Sequence, residues 1–285
     1  MMTKKIKILL GIPIILLCLI LPGLYNALKV VPYTLHAKGV AHPVRIALVT
    51  DLHSCDYGED MRELLDALDA QVPDLVLLGG DIFDDVLPDD NTISFLKGIS
   101  GRYPSYYVTG NHEYWCGAEC FARKMSALEK YGIVRLSGET DTINLHGTQI
   151  NICGVDDPYA WNRKISYLEH SEGSFEEQLA QVTSQSPNGS YSILLTHRPE
   201  RLSMYSQYDF NLVLAGHAHG GQWRIPGILN GVYAPNQGIF PALAGGIYTQ
   251  NGTTMIVSRG LARESTRVPR IYNRPELVII DLVPE

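Results

Sequence analysis

The sequence has little cysteine, no surplus of positive charge, no long charge run and no internal repeat. Five cysteines in 285 residues are too few for a disulfide scaffold, and against nine histidines and 30 carboxylates they point away from zinc-finger chemistry. Lysine and arginine total 23 against 30 aspartates and glutamates, a formal net charge of −7, and no Lys/Arg-rich run interrupts that balance. A duplex nucleic-acid binder needs a basic face, so that class is excluded. With 45% hydrophobic and 19% charged residues, the chain is not a disordered, collagenous or coiled-coil polypeptide and can bury a sizeable core. Nine histidines stand among the 30 carboxylates, so the chemistry on offer is that of imidazole and carboxylate.

The N-terminus carries one uninterrupted apolar stretch, Ile8 to Leu24, broken only by glycine and proline. Its length meets the lower limit for crossing a bilayer, about 17 residues. Lys4, Lys5 and Lys7 precede it, which orients the N-terminus to the cytoplasm and the remainder outward. No Ala-x-Ala-like cleavage site follows, so the expectation is an uncleaved signal anchor over residues 1–28, a linker over 29–43 that alternatively forms a cap strand, and one domain over 44–285. That places the chain in the cell membrane, single-pass, with its domain facing the exterior. Of the remaining cysteines, Cys55 and Cys116 follow two of the motifs described below, where the fold can either bring them together or leave them as free buried thiols.

Beyond residue 43, short apolar runs alternate with helical periodicities. Strands are expected at Arg45–Thr50, Asp74–Leu78, Tyr106–Thr109, Ser192–Thr196, Leu212–Ala215, Thr254–Ser258 and Leu277–Asp281. Thr142–Leu145 and Gln149–Cys153, joined through His146-Gly147, read as a hairpin. Helices are expected near Met61–Gln71, Thr92–Ser100 and Ala118–Tyr131, and Ser174 with Glu177 gives a capping box for a helix through Val182. Strand–helix alternation early and further strands later fit a layered α/β sandwich.

Polar residues sit where these strands end. Arg45–Thr50 runs into Asp51-Leu52-His53, Asp74–Leu78 into Gly79-Gly80-Asp81, and Tyr106–Thr109 into Gly110-Asn111-His112-Glu113. Ser192–Thr196 runs into His197, and Leu212–Ala215 into Gly216-His217-Ala218-His219. Open α/β sheets place their ligand crevice at the carboxyl ends of strands. On an extended backbone, alternate residues of Asp-x-His and His-x-His project to one side, so both members of each motif can face one site. Carboxylate, imidazole and one amide oxygen, with no thiolate, suit Mn, Fe, Zn or Ni. The donors are too many for one tetrahedral ion. Two ions sharing a carboxylate, about 3.5–4 Å apart, use them all.

These motifs resemble those of the calcineurin-like metallophosphoesterases: Asp-x-His, Gly-Asp, Gly-Asn-His-Glu/Asp, His and Gly-His-x-His, in this order from about Val44 to Asp281. The chain is most similar to their small membrane-anchored bacterial branch, which includes envelope phosphodiesterases and pyrophosphatases that cleave UDP-2,3-diacylglucosamine. Lysines without an Arg-Arg pair speak against the twin-arginine export that some of that branch use. The resemblance implies a four-layer αββα sandwich of the α/β class after one transmembrane helix, and two divalent ions (Mn, Fe or Zn). It implies Asp51, His53 and His219 on one ion, Asn111, His197 and His217 on the other, and Asp81 bridging both. His112 is then the catalytic residue that donates a proton or stabilises charge, and the nucleophile a hydroxide between the ions. The implied activity is hydrolysis of a phosphodiester, pyrophosphate or phosphomonoester, with a lipid-linked phosphate ester as the expected substrate and no nucleic-acid or protein partner. The alternative is a catalytically silent metal-binding scaffold on the same fold.

Other residues keep two readings each. Glu113 either contacts substrate, orients His112 or a ligand from behind, or pairs with an arginine. Arg198 is a candidate phosphate clamp or a cap for the helix after it. Asp156-Asp157 makes a turn or a contact behind the ligands. Arg259, Arg263, Arg267 and Arg270 form a loose basic stretch that either meets the substrate's phosphate or is a solvated loop paired with local carboxylates. Trp115, Trp223 and Tyr233 line the crevice or pin their loops. His36, His42, His146 and His170 lie outside every motif.

Overall fold

The computed structural model describes residues 18, 20–162, 173–186, 189–266 and 268–285. Most of the apolar run Ile8–Leu24, together with His170 and Arg267, lies outside these. Among the described residues no helix is long and apolar enough to cross a membrane.

The described chain runs β1 (Lys29–Ala37), β2 (Val44–Val49), α1 (Arg62–Asp69), β3 (Leu75–Gly79), α2 (Asp90–Ile99), β4 (Ser105–Val108), α3 (Asn111–Trp115), α4 (Ala118–Lys130) and β5 (Val134–Arg135). It continues through β6 (Glu139–Leu145), β7 (Thr148–Gly154), α5 (Phe175–Gln185), β8 (Tyr191–Leu195), α6 (Leu202–Tyr205) and β9 (Leu212–Ala215). The small pair β10 (Tyr233–Ala234) and β11 (Gly238–Ile239) precedes β12 (Gly246–Gln250), β13 (Thr253–Val257) and β14 (Glu276–Pro284).

Two six-stranded mixed sheets result, in the orders β1-β14-β2-β3-β4-β5 and β12-β13-β9-β8-β7-β6. Continuous apolar strands such as β3 and β8 are buried on both faces, as covered parallel strands must be. One core lies between the sheets, where Ile46, Leu48, Leu75 and Leu77 meet Ile152, Ile193, Leu195 and Leu214. A second joins the outer face of the first sheet to α1, α2 and α4 through Leu64, Leu68, Phe95 and Leu128. A third joins the second sheet to α5 and α6 through Leu179, Val182, Leu202 and Tyr205. The architecture is a mixed α/β sandwich with helices on its outer faces. Ser174 caps α5, its hydroxyl accepting from Glu177 N at 3.2 Å.

One expectation is corrected and one open reading is decided. The segment assigned to a linker is largely an edge strand: β1 pairs in parallel with β14 along its full length, and its alternation of more and less exposed residues matches a half-covered strand. Cys55 does not meet Cys116. Gly117 turns the chain between α3 and α4, so Cys116 bonds Cys120 across a Cα–Cα distance of 5.7 Å. Cys55 stays a buried free thiol, its Sγ 3.3 Å from Ser265 Oγ, and Cys153 is likewise free and buried. Elements absent from the sequence reading are α3, β5, β10, β11 and β12.

Leu48→Ala empties space in the inter-sheet core and should cost about 2–5 kcal/mol. A lowered urea midpoint with unchanged denaturant slope is the expected result.

Candidate metal centre

The five motifs converge where β2, β3, β4, β8 and β9 end. Parallel pairing of β2 with β3 and β3 with β4 aligns three strand ends in one sheet, and β8 with β9 aligns two in the other. Turns then carry the motif residues toward one another. Asp51, His53 and Asp81 in the first sheet, and His217 and His219 in the second, all have φ between +46° and +64°. This left-handed backbone is costly for non-glycine residues and concentrates at functional sites. It also corrects the extended-strand picture of Asp-x-His and His-x-His: both motifs lie beyond the strands, in tight turns. Gly110 and Gly216 are required here, since a Cβ on either would clash with the carboxylate of Asp81 or Asp51.

Three groups of donor atoms form among the described residues: Asp51, His53, Asp81 and His219; Asp81, His197 and His217; and His53, Asp84 and His112. Asp81 belongs to the first two. Asp81 Oδ2 lies 3.0 Å from His197 Nε2 and 3.6 Å from His53 Nε2. His219 Nε2 is 3.7 Å from Asp51 Oδ1, and His217 Nδ1 is 3.2 Å from His197 Nε2. Asn111, the first residue of α3, is buried at the same place. Every one of the seven residues expected as ligands is buried.

The donor set fits cations. Asp51 Oδ2, His53 Nε2, Asn111 Oδ1 and His219 Nδ1 are buried polar atoms with no hydrogen-bond partner, and such atoms are rare in folded proteins unless something else satisfies them. The other faces of these groups are engaged. His197 Nδ1 lies 2.9 Å from the Gly79 carbonyl, which can only accept, so Nδ1 carries the proton and Nε2 faces the centre. His53 Nδ1 sits 3.0 Å from Asp84 Oδ2, leaving Nε2 inward. Asp51 Oδ1 accepts from His217 N, and Asp81 Oδ1 from His112 N, both at 2.9 Å. Carboxylate and carbonyl partners behind ligating imidazoles fix the tautomer and the ring orientation.

The electrostatics agree. Burial alone would raise Asp81, yet the His197, His112 and His53 imidazoles hold it well below the usual carboxylate range. Burial alone would lower His197, but the Asp81 carboxylate dominates and pushes it up to about 10. A cation would take the place of that proton. Burial, reinforced by Arg198 beside His217 and by His53 and Arg270 beside His219, drives both of these histidines well below the ordinary value, so both are neutral and ready to ligate.

His112 adjoins the donors through His53 and Asp84, with its Nδ1 3.5 Å from Asp84 Oδ2. Its Nδ1 is 2.6 Å from Asp85 Oδ1, its ring meets His53 edge-on at 4.3 Å and Trp115 at 4.4 Å, and it keeps 22% exposure. Asp84 and Asp85, which orient His53 and His112, escaped the sequence reading. Their signal was the acidic pair three and four residues past Gly-Asp, which reads equally well as a turn.

The two residues expected at the substrate are placed differently. Glu113 is fully buried and touches no open space. Its Oε1 accepts from Ile82 N and Phe83 N, and its Oε2 from Asp81 N and Gly110 N. It clamps the turn after β3 to the turn after β4, because a carboxylate offers enough lone pairs for four amides. Arg198 closes its guanidinium fork on Asp157, and its Nη1 meets His217 Nε2 and Asn236 Oδ1. Asp157 thus holds Arg198, while Asp156 binds Thr109 Oγ1 at 2.9 Å. Trp115 stacks on His112, whereas Trp223 pins its loop by donating to the Pro269 carbonyl. Asp84→Asn should leave the fold intact and weaken metal affinity about 10–100-fold, read by metal titration of the purified chain.

The calcineurin-like phosphoesterase family matches residues 44–221. An uncharacterized metallophosphoesterase of Campylobacter jejuni is 31% identical over 72% of this chain, which spans about half (52%) of that relative's length. Phosphodiesterase YaeI of Escherichia coli is 26% identical over 86% of this chain and 84% of its own. Among solved structures, the NAD nucleotidase of Haemophilus influenzae superposes with a TM-score of 0.50 at 17% identity, over 76% of this chain and 45% of that one, a likeness of fold. With the motifs in the family's order and more than half of the sequence matched, the chain belongs to the calcineurin-like phosphoesterase family.

Proposed function

We propose that the chain is a dinuclear metal-dependent phosphoesterase. The observation that carries this reading is the position of Asp81, a buried carboxylate shared by two groups of imidazole and carboxylate donors, its Oδ2 3.0 Å from His197 Nε2 and 3.6 Å from His53 Nε2. Asp51, His53 and His219 would hold one ion, Asn111, His197 and His217 the other, and Asp81 both. Bound there, two divalent ions supply an activated water and charge stabilisation for displacement at phosphorus. The protein supplies the rest. Asp85 holds His112 at Nδ1, so the other ring nitrogen is left to give a proton to the leaving oxygen. Asp84 and the Gly79 carbonyl keep His53 and His197 in register.

The substrate we favour is a diester or pyrophosphate of an envelope lipid, with the domain outside the cell on an N-terminal anchor. The lysine-flanked apolar run supports the anchor. Its described end is consistent with a tether close to the domain: Gly23 O accepts from Tyr272 N at 2.7 Å, while Leu21, Leu24 and Tyr25 remain exposed beside it. Protease shaving of intact cells tests the topology; a domain that stays protected while exofacial controls are cut contradicts it.

Two substitutions test the chemistry. Asp81→Asn removes the shared charge and should lower occupancy of both ions, measured by metal analysis after gel filtration; retention of two ions contradicts the bridge. His112→Ala should keep both ions while turnover of aryl phosphate esters with Mn²⁺ falls about 10²–10⁴-fold. A wild-type chain that binds two ions and hydrolyses neither monoester nor diester would favour the scaffold instead.

A further inference from the structure

Exposed apolar side chains gather in the stretch between His219 and β12. Trp223, Ile225, Ile228, Tyr233, Ile239 and Phe240 all face solvent, Ile228 at 84%, Ile239 at 71% and Phe240 at 66%. Turns ordinarily expose polar residues. Here Ile225 and Leu229 exchange backbone bonds around Pro226-Gly227, and the closed turn carries an isoleucine at its tip. A single exposed apolar residue needs no explanation, whereas a group of them marks an interaction site.

Backbone bonds set these residues side by side and keep them from folding inward. Val232 N donates to the Trp223 carbonyl, Phe240 N donates to the Val232 carbonyl, and Tyr233 pairs with Ile239 across β10 and β11. The same network reaches the end of the N-terminal apolar run. Trp223 bridges to Ile271, Tyr272 N donates to the Gly23 carbonyl at 2.7 Å, and Leu21 and Leu24 are exposed on either side of that glycine. The segment is also tied to the metal centre, since Asn236, between β10 and β11, has its Oδ1 2.8 Å from His217 Nε2.

Charge selects the occupant. Residues 210–263 contain no aspartate or glutamate, although the chain carries 30 carboxylate side chains. A protein–protein interface tolerates carboxylates at its rim. A lipid interface does not: burying them there is costly, and anionic headgroups repel them. Tryptophan and tyrosine beside the isoleucines match the preference of amphipathic rings for the headgroup level.

We propose that residues 223–240 are a membrane-docking surface, entering the headgroup and upper acyl region of a bilayer beside the N-terminal apolar run and setting the metal centre against the lipid surface. The inference rests on the anchor reading above for which membrane is met, and on the phosphoesterase reading for what is cleaved there.

The test uses the full chain in vesicles of phosphatidylcholine and phosphatidylglycerol, with an environment-sensitive fluorophore on a single introduced thiol. Cys18→Ala removes the exposed native thiol; Cys55 and Cys153 are buried, and Cys116 is bonded to Cys120. Ile228→Cys and Ile239→Cys supply the two probe sites. Val72→Cys, 74% exposed and ahead of β3 at the opposite ends of the strands, supplies the control. Labels at 228 and 239 should shift to the blue in vesicles and be quenched by doxyl-bearing lipid, while the label at 72 reads water throughout. Adding Phe240→Asp should leave the melting temperature and aryl phosphate turnover unchanged and weaken the lipid quenching at 228 and 239. Labels at 228 and 239 that match the control overturn the proposal. So does a blue shift without lipid quenching that grows with protein concentration, which gives this face to a second copy of the chain. A chain that turns over no aryl phosphate ester, or a domain protected from protease shaving, defeats the readings above and leaves the depth measurement to decide the docking.

Discussion

Two carboxylates, Asp51 and Asp81, are buried among the four imidazoles of His53, His197, His217 and His219 at the seam between two sheets. Isolated in a low-dielectric interior, such carboxylates would be strongly disfavoured as anions. Positive charge must therefore be present there, as protons on imidazole or as cations, and the surrounding structure is arranged around that demand. Backbone amides and carbonyls take up the outward atoms of these groups and leave the inward lone pairs open. At Asp51 and His53 one atom is satisfied and the inward one left bare, which makes the cluster a receptor for cations instead of an ordinary polar core.

The geometry is enforced by turns more than by strands. Parallel pairing delivers five strand ends to one place, but five of the seven expected ligands sit in left-handed backbone that an isolated peptide would seldom populate. Packing must hold them there. Glu113 does much of this work, because its two oxygens collect four amides from two separate turns and tie the Asp81 segment to the Asn111 segment. The cost of burying that carboxylate, whose pKa burial and Asp81 push upward, is offset by the bonds it accepts. Gly110 and Gly216 permit the close approach that the clamp creates.

The surroundings of the centre are asymmetric. On the His217 side, Arg198 is neutralised by Asp157 and Glu200 and acts as a fixed wall. Arg270, by contrast, is buried with no hydrogen-bond partner on its guanidinium nitrogens. Metal donors are arranged around Asp81 as a shared centre, whereas the two arginines are not.

The donor types, their order and their positions at the ends of apolar strands were legible in the sequence, because hydrophobic periodicity marks strands and polar residues that interrupt it at a strand's end stand out. The strands themselves agree to within a few residues, and Ser174 with Glu177 announced the start of α5 correctly. What could not be read were roles that depend on contacts across dozens or hundreds of positions. Glu113 is acidic and next to His112, and nothing local reveals that its oxygens are consumed by amides near Asp81. Asp84 and Asp85 resemble a turn until His53 and His112 are seen beside them. Arg259, Arg263 and Arg270 look equivalent in a basic stretch, and only the placement of Glu276 and Glu63 leaves one of them unpaired. The sequence by itself determined which atoms are available to bind a cation and where along the chain they emerge. Tertiary structure decided which carboxylate is shared and which arginine is free, since a charge's role is set by its neighbours in space, and those neighbours exist only once both sheets have closed.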